Sequence, residues 1–339
     1  MRFIKKTLYI LNDDYYIHCD HGSIIVRKDD EELTRISAES IEQIVLFARC
    51  SISDFLVKFC NEYHIVLTFV STYGKFYGRI IGGNTGNVLL REKQFTLDSA
   101  KRICLVRDIL LGKLVNERNV LLRSAKDAYD SDIDTLYSGA DKIKEQIIQL
   151  KSADSVESLR GIEGAAASIY FACFDNMLKT NTVDMKFIRR SRRPPENNCN
   201  ALLSLLYMLF TIDCESALEN CGLDSYYGYL HALRSGRASL ACDLMEEFRA
   251  CFIDKFVITL INRRQVSSDD FERKQEGIKL KDKSIKNVLS LWENYKNSEM
   301  EYPLDRKKYE RKLIPYLQAQ LMAQFIRGDI DEYPPFTWR

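Results

Sequence analysis

The chain is poor in the residues that mark several common functions. It has four histidines, six prolines and two tryptophans in 339 residues. Its ten cysteines form no CxxC pair, and the late neighbours Cys214 with Cys221 and Cys242 with Cys251 lack the spacing of a zinc knuckle. They read as reduced thiols, several of them small core fillers. Net charge is only +1, so the molecule is no polycation, and any nucleic-acid surface has to be local. No apolar run approaches the roughly 20 residues that span a bilayer. The longest, 201–212, is about a dozen residues and contains Ser204. The apolar stretch 7–11 is too short for a signal-peptide core. These observations set the expectation of a cytoplasmic protein. Residues 82–86 lack the Gly-Lys-Ser/Thr ending of a phosphate loop, and no Gly-x-Ser-x-Gly elbow occurs, which argues against nucleotide-binding and serine-hydrolase readings.

What is present divides the chain in two. Short β-rich runs at 7–11, 15–19, 23–28, 33–36, 40–47, 65–70 and 76–81 alternate with turn signals such as Asn12-Asp13-Asp14 and Asp20-His21-Gly22. One helix is expected over 53–63, capped by Ser53, with Phe55, Leu56 and Phe59 facing inward. A Gly/Asn-rich connector follows at 82–87. Beyond it helical periodicity predominates, with long helices expected at 98–123, 132–151, 156–178, 200–221, 238–262, 284–296 and 306–327. The expected class is α+β: a small β-rich domain over 1–87 and a larger all-α domain over 88–339.

Three segments carry candidate chemistry. In 236–249, GRASLACDLMEEFR, an apolar face of Leu240, Leu244, Met245 and Phe248 accompanies Asp243, Glu246 and Glu247, whose spacing puts them on part of one helical face. His231 stands twelve residues before Asp243. In 159–170, LRGIEGAAASIY, Glu163 lies between Gly161 and Gly164, where glycine costs a helix about 1 kcal/mol relative to alanine. Such small residues suit close approach of another helix or of a ligand backbone. Taken singly, each acid fits a solvated face and His231 fits an ordinary buried histidine. Taken together, Glu163, His231 and Glu246 make a plausible donor set for Mg²⁺ or Mn²⁺, with Asp243 one turn away. The third segment holds Arg189, Arg190, Arg192 and Arg193 ahead of Pro194-Pro195. Four guanidiniums in five residues suit phosphate contacts, and the bland alternative is a solvated loop or a salt bridge. Arg234, Arg237, Arg249 and Lys186 extend this basic surface on the DNA reading.

These residues resemble a known family. RGIEGAAASIYF around Glu163, RRSRRPP at 189–195 followed by NALLSLLY from Asn200, GYLHALRSGRASLACDLMEEFR from Gly228, TLINRRQ from Thr259 and the ending YPPFTW are together similar to the CRISPR-associated integrase, the larger of the two core spacer-acquisition proteins, and most to its subtype I-C branch. The resemblance covers nearly the whole chain. It implies a β-rich N-terminal domain that dimerises, an α-helical catalytic domain, a homodimer, and a small ferredoxin-like adaptation partner. It also implies insertion of short foreign DNA into a repeat array by attack of a 3′-hydroxyl on a phosphodiester, with a divalent metal. Glu163, His231 and Glu246 match the family's metal ligands, and Asp243 matches a nearby acidic position. Tyr229 and Tyr227 are expected to position DNA. One departure is Ala238, where many relatives carry proline. Two other readings stay open: a DNA-binding scaffold with a vestigial site, and a small-molecule metallohydrolase in which the arginines are incidental.

Overall fold

The computed structural model describes residues 6–29, 31–47, 49–71, 76–80, 87–180, 182–191, 194–275 and 277–338. The connector expected at 82–87 lies outside them except for Asn87. The chain forms two compact units, Met1–Gly86 and Asn87–Arg339.

The first unit is built from β1 (Lys6–Ile10), β2 (Tyr15–Asp20), β3 (Ser23–Lys28), β4 (Glu31–Ser37), β5 (Ile41–Leu46), β6 (Ser51–Ile52), α1 (Asp54–Glu62), β7 (Val66–Val70) and β8 (Phe76–Ile80). One sheet runs β1-β5-β7-β8, with the first three strands parallel, and the other runs β4-β3-β2-β6. In the β2–β3 hairpin Asp20 pairs with Ser23, which leaves a two-residue loop. His21 and Gly22 both have positive φ, 42° and 76°, the twist that a tight hairpin turn requires. Alternate apolar residues of the strands, including Ile17, Ile24, Ile44 and Leu46, meet Leu56 and Cys60 of α1 in one core. Ser53 caps α1 by accepting from the Leu56 N–H at 3.0 Å. Phe55 departs from expectation: it is 71% exposed, and the inner face is carried by Leu56 and Cys60.

The second unit contains α2 (Val88–Phe95), α3 (Ser99–Ala125), α4 (Asp130–Leu150), α5 (Val156–Ala172), α6 (Asn198–Asn220), α7 (Ser239–Glu246), α8 (Lys255–Asn262), α9 (Asp282–Asn297) and α10 (Ile314–Arg327). Two small hairpins interrupt it, β9 (Phe271–Lys274) with β10 (Gly277–Leu280), and β11 (Glu299–Glu301) with β12 (Lys308–Glu310). The fold is thus β-rich and then helical. Asn87, expected in the connector, instead caps α2, its side chain accepting from the Leu90 N–H. The helix expected over 156–178 stops at Ala172 and gives way to a short 3₁₀ turn. The one expected over 306–327 begins only at Ile314, because the preceding residues pair as β12.

The largest difference lies in 238–262. Its single expected helix is three pieces: α7, a π-helical segment Arg249–Asp254, and α8. Glu246, Glu247, Arg249 and Asp254 are all buried polar groups with partners on different sides. A π turn re-aims side chains that an unbroken α-helix would place on fixed faces. The unit's longest apolar helix, α6, is long and apolar enough to cross a membrane, though most of it is packed inside the fold. The apolar run read as about a dozen residues is only its middle.

The C-terminal segment closes this unit. Glu247 accepts from the Tyr333 hydroxyl at 2.5 Å, the Phe336 N–H at 2.6 Å and the Gln318 amide at 3.2 Å. Asn116 of α3 donates to the carbonyls of Glu247 and Phe336 and accepts from the Trp338 N–H. Gly112 permits this approach, since a Cβ there would stand 3.1 Å from the Phe336 carbonyl. Arg123 and Lys255 then lie over the Trp338 ring, at 3.9 and 4.1 Å.

Burial pushes the Glu247 carboxyl up to about 8, against the pull of those three donors. The folded state therefore holds a proton that the unfolded chain has lost above the ordinary carboxyl range. This contribution is complete below the ordinary range and is lost as pH rises through about 8. Glu247→Gln, with its amide nitrogen toward Tyr333, should still fold. It should remove a slope of at most about 1.4 kcal/mol per pH unit between pH ~5 and ~8, read from denaturant unfolding across that range.

Candidate active site

The site lies within the helical unit, where α3, α5, α7 and the loop before α7 meet. Each element brings one chemical group for a visible reason. On α3, Lys113 and Glu117 are one turn apart on the inner face, with 2% of the Lys113 side chain exposed. Glu163 projects from α5. His231 lies in the loop leading to α7, and α7 supplies Asp243 and Glu246.

Asp243 organises the loop. It is fully buried, and its Oδ2 accepts from the backbone N–H groups of Tyr229 at 2.6 Å and Leu230 at 3.0 Å. Its Oδ1 accepts from the His231 N–H at 2.9 Å and from the ring Nδ1 at 2.6 Å. A carboxylate only accepts, so Nδ1 carries a proton, and Nε2 is the ring nitrogen that faces the site. Burial works against an imidazolium, yet the hydrogen bond and charge of Asp243 outweigh it and hold His231 above the usual histidine range. Gly228 makes the approach possible: a Cβ there would stand 2.7 Å from Ser239 and 2.8 Å from Asp243 Oδ2. Asp243 is therefore a positioning residue for His231.

Glu246 is 3% exposed and doubly paired. Arg249 donates to its Oε1 at 2.8 Å and its Oε2 at 3.1 Å, and the Lys113 ammonium lies 2.8 Å from Oε2. The His231 Nε2 faces Oε1 at 3.8 Å. Burial opposes ionisation, but Arg249, Lys113 and His231 together hold this carboxyl far below the usual range. Glu163 Oε1 accepts from the same Lys113 ammonium. Glu163 and His231 also line an open cleft of about 320 Å³ with Arg160, Leu230, Ala232 and Arg237.

The three expected metal donors are therefore gathered, but not as a ready cage. Among the described residues, no three histidine, cysteine, aspartate or glutamate side chains form a metal-holding group as they stand. The Lys113 ammonium takes the place between Glu163 and Glu246. The donor types still fit a divalent cation: two carboxylates and an imidazole whose far nitrogen is pinned by a carboxylate. Nor do the three acids of 236–249 share one face. Asp243 and Glu246 turn to the site, whereas Glu247 turns to the C-terminal segment.

The expected DNA-contacting residues divide. Tyr229 is 1% exposed, its hydroxyl donates to the Gln94 carbonyl, and it does not reach solvent. Tyr227 donates to the Phe95 carbonyl and packs on the Phe95 ring. Arg190 turns inward, donating to Asn200, Ser204 and the Ser191 carbonyl beside Tyr207. Arg249 is buried against Glu246. These are structural cations, because both guanidiniums turn into the fold and pair with protein acceptors there. Arg189 is exposed and pairs with Glu196, 3.0 Å at the shortest. Arg192 and Arg193 lie outside the described residues. Arg237 borders the cleft, anchored on the Ala232 carbonyl.

Gly161 and Gly164 meet nothing within 4 Å of where a Cβ would stand, so no helix crosses there and that face of α5 is open. Sequence reasoning missed Lys113 and Glu117, and it placed Arg249 on the surface. A signal existed: Lys113 stands in the apolar run ILLGKLV, with an acid four residues on, the pattern of a buried lysine that must find carboxylates.

Residues 8–294 match the family described as CRISPR associated protein Cas1. The chain belongs to the Cas1 family. It is 37% identical to a CRISPR-associated endonuclease Cas1 of Moorella thermoacetica over 343 residues, covering 100% of both chains. As a member of that endonuclease class it is an enzyme. Its fold is similar to that of a casposase bound to integration product, with TM-score 0.83 and 19% identity, covering 98% of this chain and 94% of that one. It is also similar to a chain of a Cas6-RT-Cas1–Cas2 complex, with TM-score 0.82 and 23% identity, covering 98% of this chain and 36% of that one.

The four hydrogen bonds to Asp243 make a direct forecast. Asp243→Asn turns an amide toward donors that need an acceptor. It should cost about 2–3 kcal/mol in denaturant unfolding and loosen the His231 loop, read as faster amide exchange at Tyr229 and Leu230.

Proposed function

We propose that this chain is a metal-dependent DNA integrase and endonuclease of CRISPR adaptation, inserting short foreign DNA fragments into the repeat array. The observation that carries this reading is the meeting of Glu163, His231 and Glu246, from three separate segments, beside a cleft that Glu163 and His231 line together with Arg160 and Arg237. The names of the relatives support it, as does the open glycine face of α5, which leaves room for a DNA backbone beside Glu163.

On this reading Glu163, His231 and Glu246 hold Mg²⁺ or Mn²⁺, and Asp243 fixes the imidazole. A bound divalent ion supplies Lewis-acid polarisation of the phosphodiester and lowers the cost of charge on the attacking and leaving oxygens. The 3′-hydroxyl of the incoming strand forms a new P–O bond, the bond to the 3′-oxygen of the repeat strand breaks, and the proton lost by the first oxygen is matched by one gained by the second. Water in place of the hydroxyl gives cleavage. No covalent link to the protein forms, so the buried Tyr229 is not required as a nucleophile. Arg237 and Arg160 place positive charge along the cleft, and Arg189, with Arg192 and Arg193, extends the phosphate surface. The first unit serves dimerisation, and a small ferredoxin-like adaptation partner joins the homodimer.

A scaffold without catalysis is the second reading. It is favoured by one observation: Lys113 already neutralises the two glutamates without any metal. The two readings separate on Glu163→Gln, at a partly exposed position. The enzyme reading expects strand transfer into repeat DNA with Mn²⁺ to fall by on the order of 10²-fold or more, with DNA binding and circular dichroism unchanged. Transfer at the wild-type rate would sink it. Charge reversal of Arg189 and Arg237 should instead weaken DNA binding and reduce its salt slope by roughly one unit per lost phosphate contact, measured by titration at several salt concentrations.

A further inference from the structure

One oxygen of each of the two glutamates is already held by one ammonium. Lys113 Nζ contacts Glu163 Oε1 and Glu246 Oε2, while Glu246 Oε1 is engaged by Arg249 and faces His231. Lys113 is 2% exposed and Glu246 3% exposed, so water does little to screen this cluster. A divalent ion on these carboxylates would bring a second positive charge against the ammonium in a poorly screened interior, and that repulsion favours moving the ammonium away.

The structure also provides a place for it to go. Glu117 follows Lys113 by one turn on α3, on the same face, and is itself buried. Its Oε2 is a buried acceptor without a hydrogen-bond partner among the described residues. Such an orphaned oxygen beside a flexible, buried lysine is costly unless some state of the protein uses it. Lysine suits the task because its ammonium is a compact charge on a four-carbon stem that re-aims by rotamer change alone.

We propose that Lys113 is an internal competitor for the metal. It holds Glu163 and Glu246 together in the metal-free enzyme and moves to Glu117 when a divalent cation binds. This deepens the functional reading and rests on its assignment of Glu163, His231 and Glu246 as metal ligands. The device keeps two carboxylates from repelling each other before loading, at the expense of metal affinity. It is a positioning role, since Lys113 acts through the glutamates.

The test is Mn²⁺ binding to the full chain, followed by calorimetry and by the electron paramagnetic resonance of free Mn²⁺, with melting temperature recorded with and without Mn²⁺. Lys113→Met keeps length and removes charge. It should bind Mn²⁺ more tightly by about tenfold or more, the scale of one lost competing ion pair, melt lower without metal, and gain more from Mn²⁺ than the wild type does. Glu117→Gln, which removes the receiving carboxyl, should bind Mn²⁺ more weakly than the wild type. A folded Lys113→Met protein with unchanged or weaker Mn²⁺ affinity overturns the proposal. If Lys113→Met folds only with Mn²⁺ present, Glu117→Gln decides alone, and wild-type affinity there overturns it. His231→Ala locates the ion. Undiminished Mn²⁺ binding in that variant would reject the metal-site reading itself, a result distinct from indifference to Lys113.

Discussion

The helical unit depends on one buried carboxylate. Glu246 stays ionised inside a low-dielectric interior because Arg249 grips both its oxygens and Lys113 approaches the second. It is the counter-charge that these two buried cations share. Arg249 is itself placed by the π-helical turn and packed over the Tyr207 ring at 4.6 Å. The Tyr207 hydroxyl in turn donates to Asp254, which burial pushes up to about 6 against the pull of that hydroxyl and Arg249. The charge at the site thus propagates along the 249–254 segment into the core, and the local geometry of that segment is a consequence of pairing buried charges.

The site is also divided by how its parts are held. Asp243, Glu246 and Arg249 sit on one short stretch of chain, each fixed by two or more buried hydrogen bonds. Glu163 stands on another helix with 27% of its side chain exposed and an open glycine face on either side. One wall of the site is thus held by buried hydrogen bonds, and the other carries a partly solvated carboxylate.

Much of the first unit was legible in the sequence, because strand alternation and turn residues such as His21-Gly22 act locally. The helices α3, α4 and α6 were legible to within two residues at each end for the same reason. Where expectation failed most, a distant partner had overridden local preference. Residues 308–310 join a hairpin with β11. The helix expected over 238–262 breaks because Glu247 is claimed by Tyr333 and Phe336, nearly ninety residues further on. Arg190 and Tyr229 looked like ligand-facing groups in a polar context, and both are consumed by buried acceptors.

The sequence by itself determined that a β-rich region precedes a helical one, and it carried the motifs that mark the family; it offered Glu163, His231, Asp243 and Glu246 as candidates, through residue type and resemblance. Only the tertiary structure decided which acids share the site, that Asp243 serves the histidine, and that Lys113 stands between the two glutamates. Those outcomes depend on burial. A charge withdrawn from water must find its counter-charge wherever the packed chain brings one, and that distance cannot be read along a line of residues.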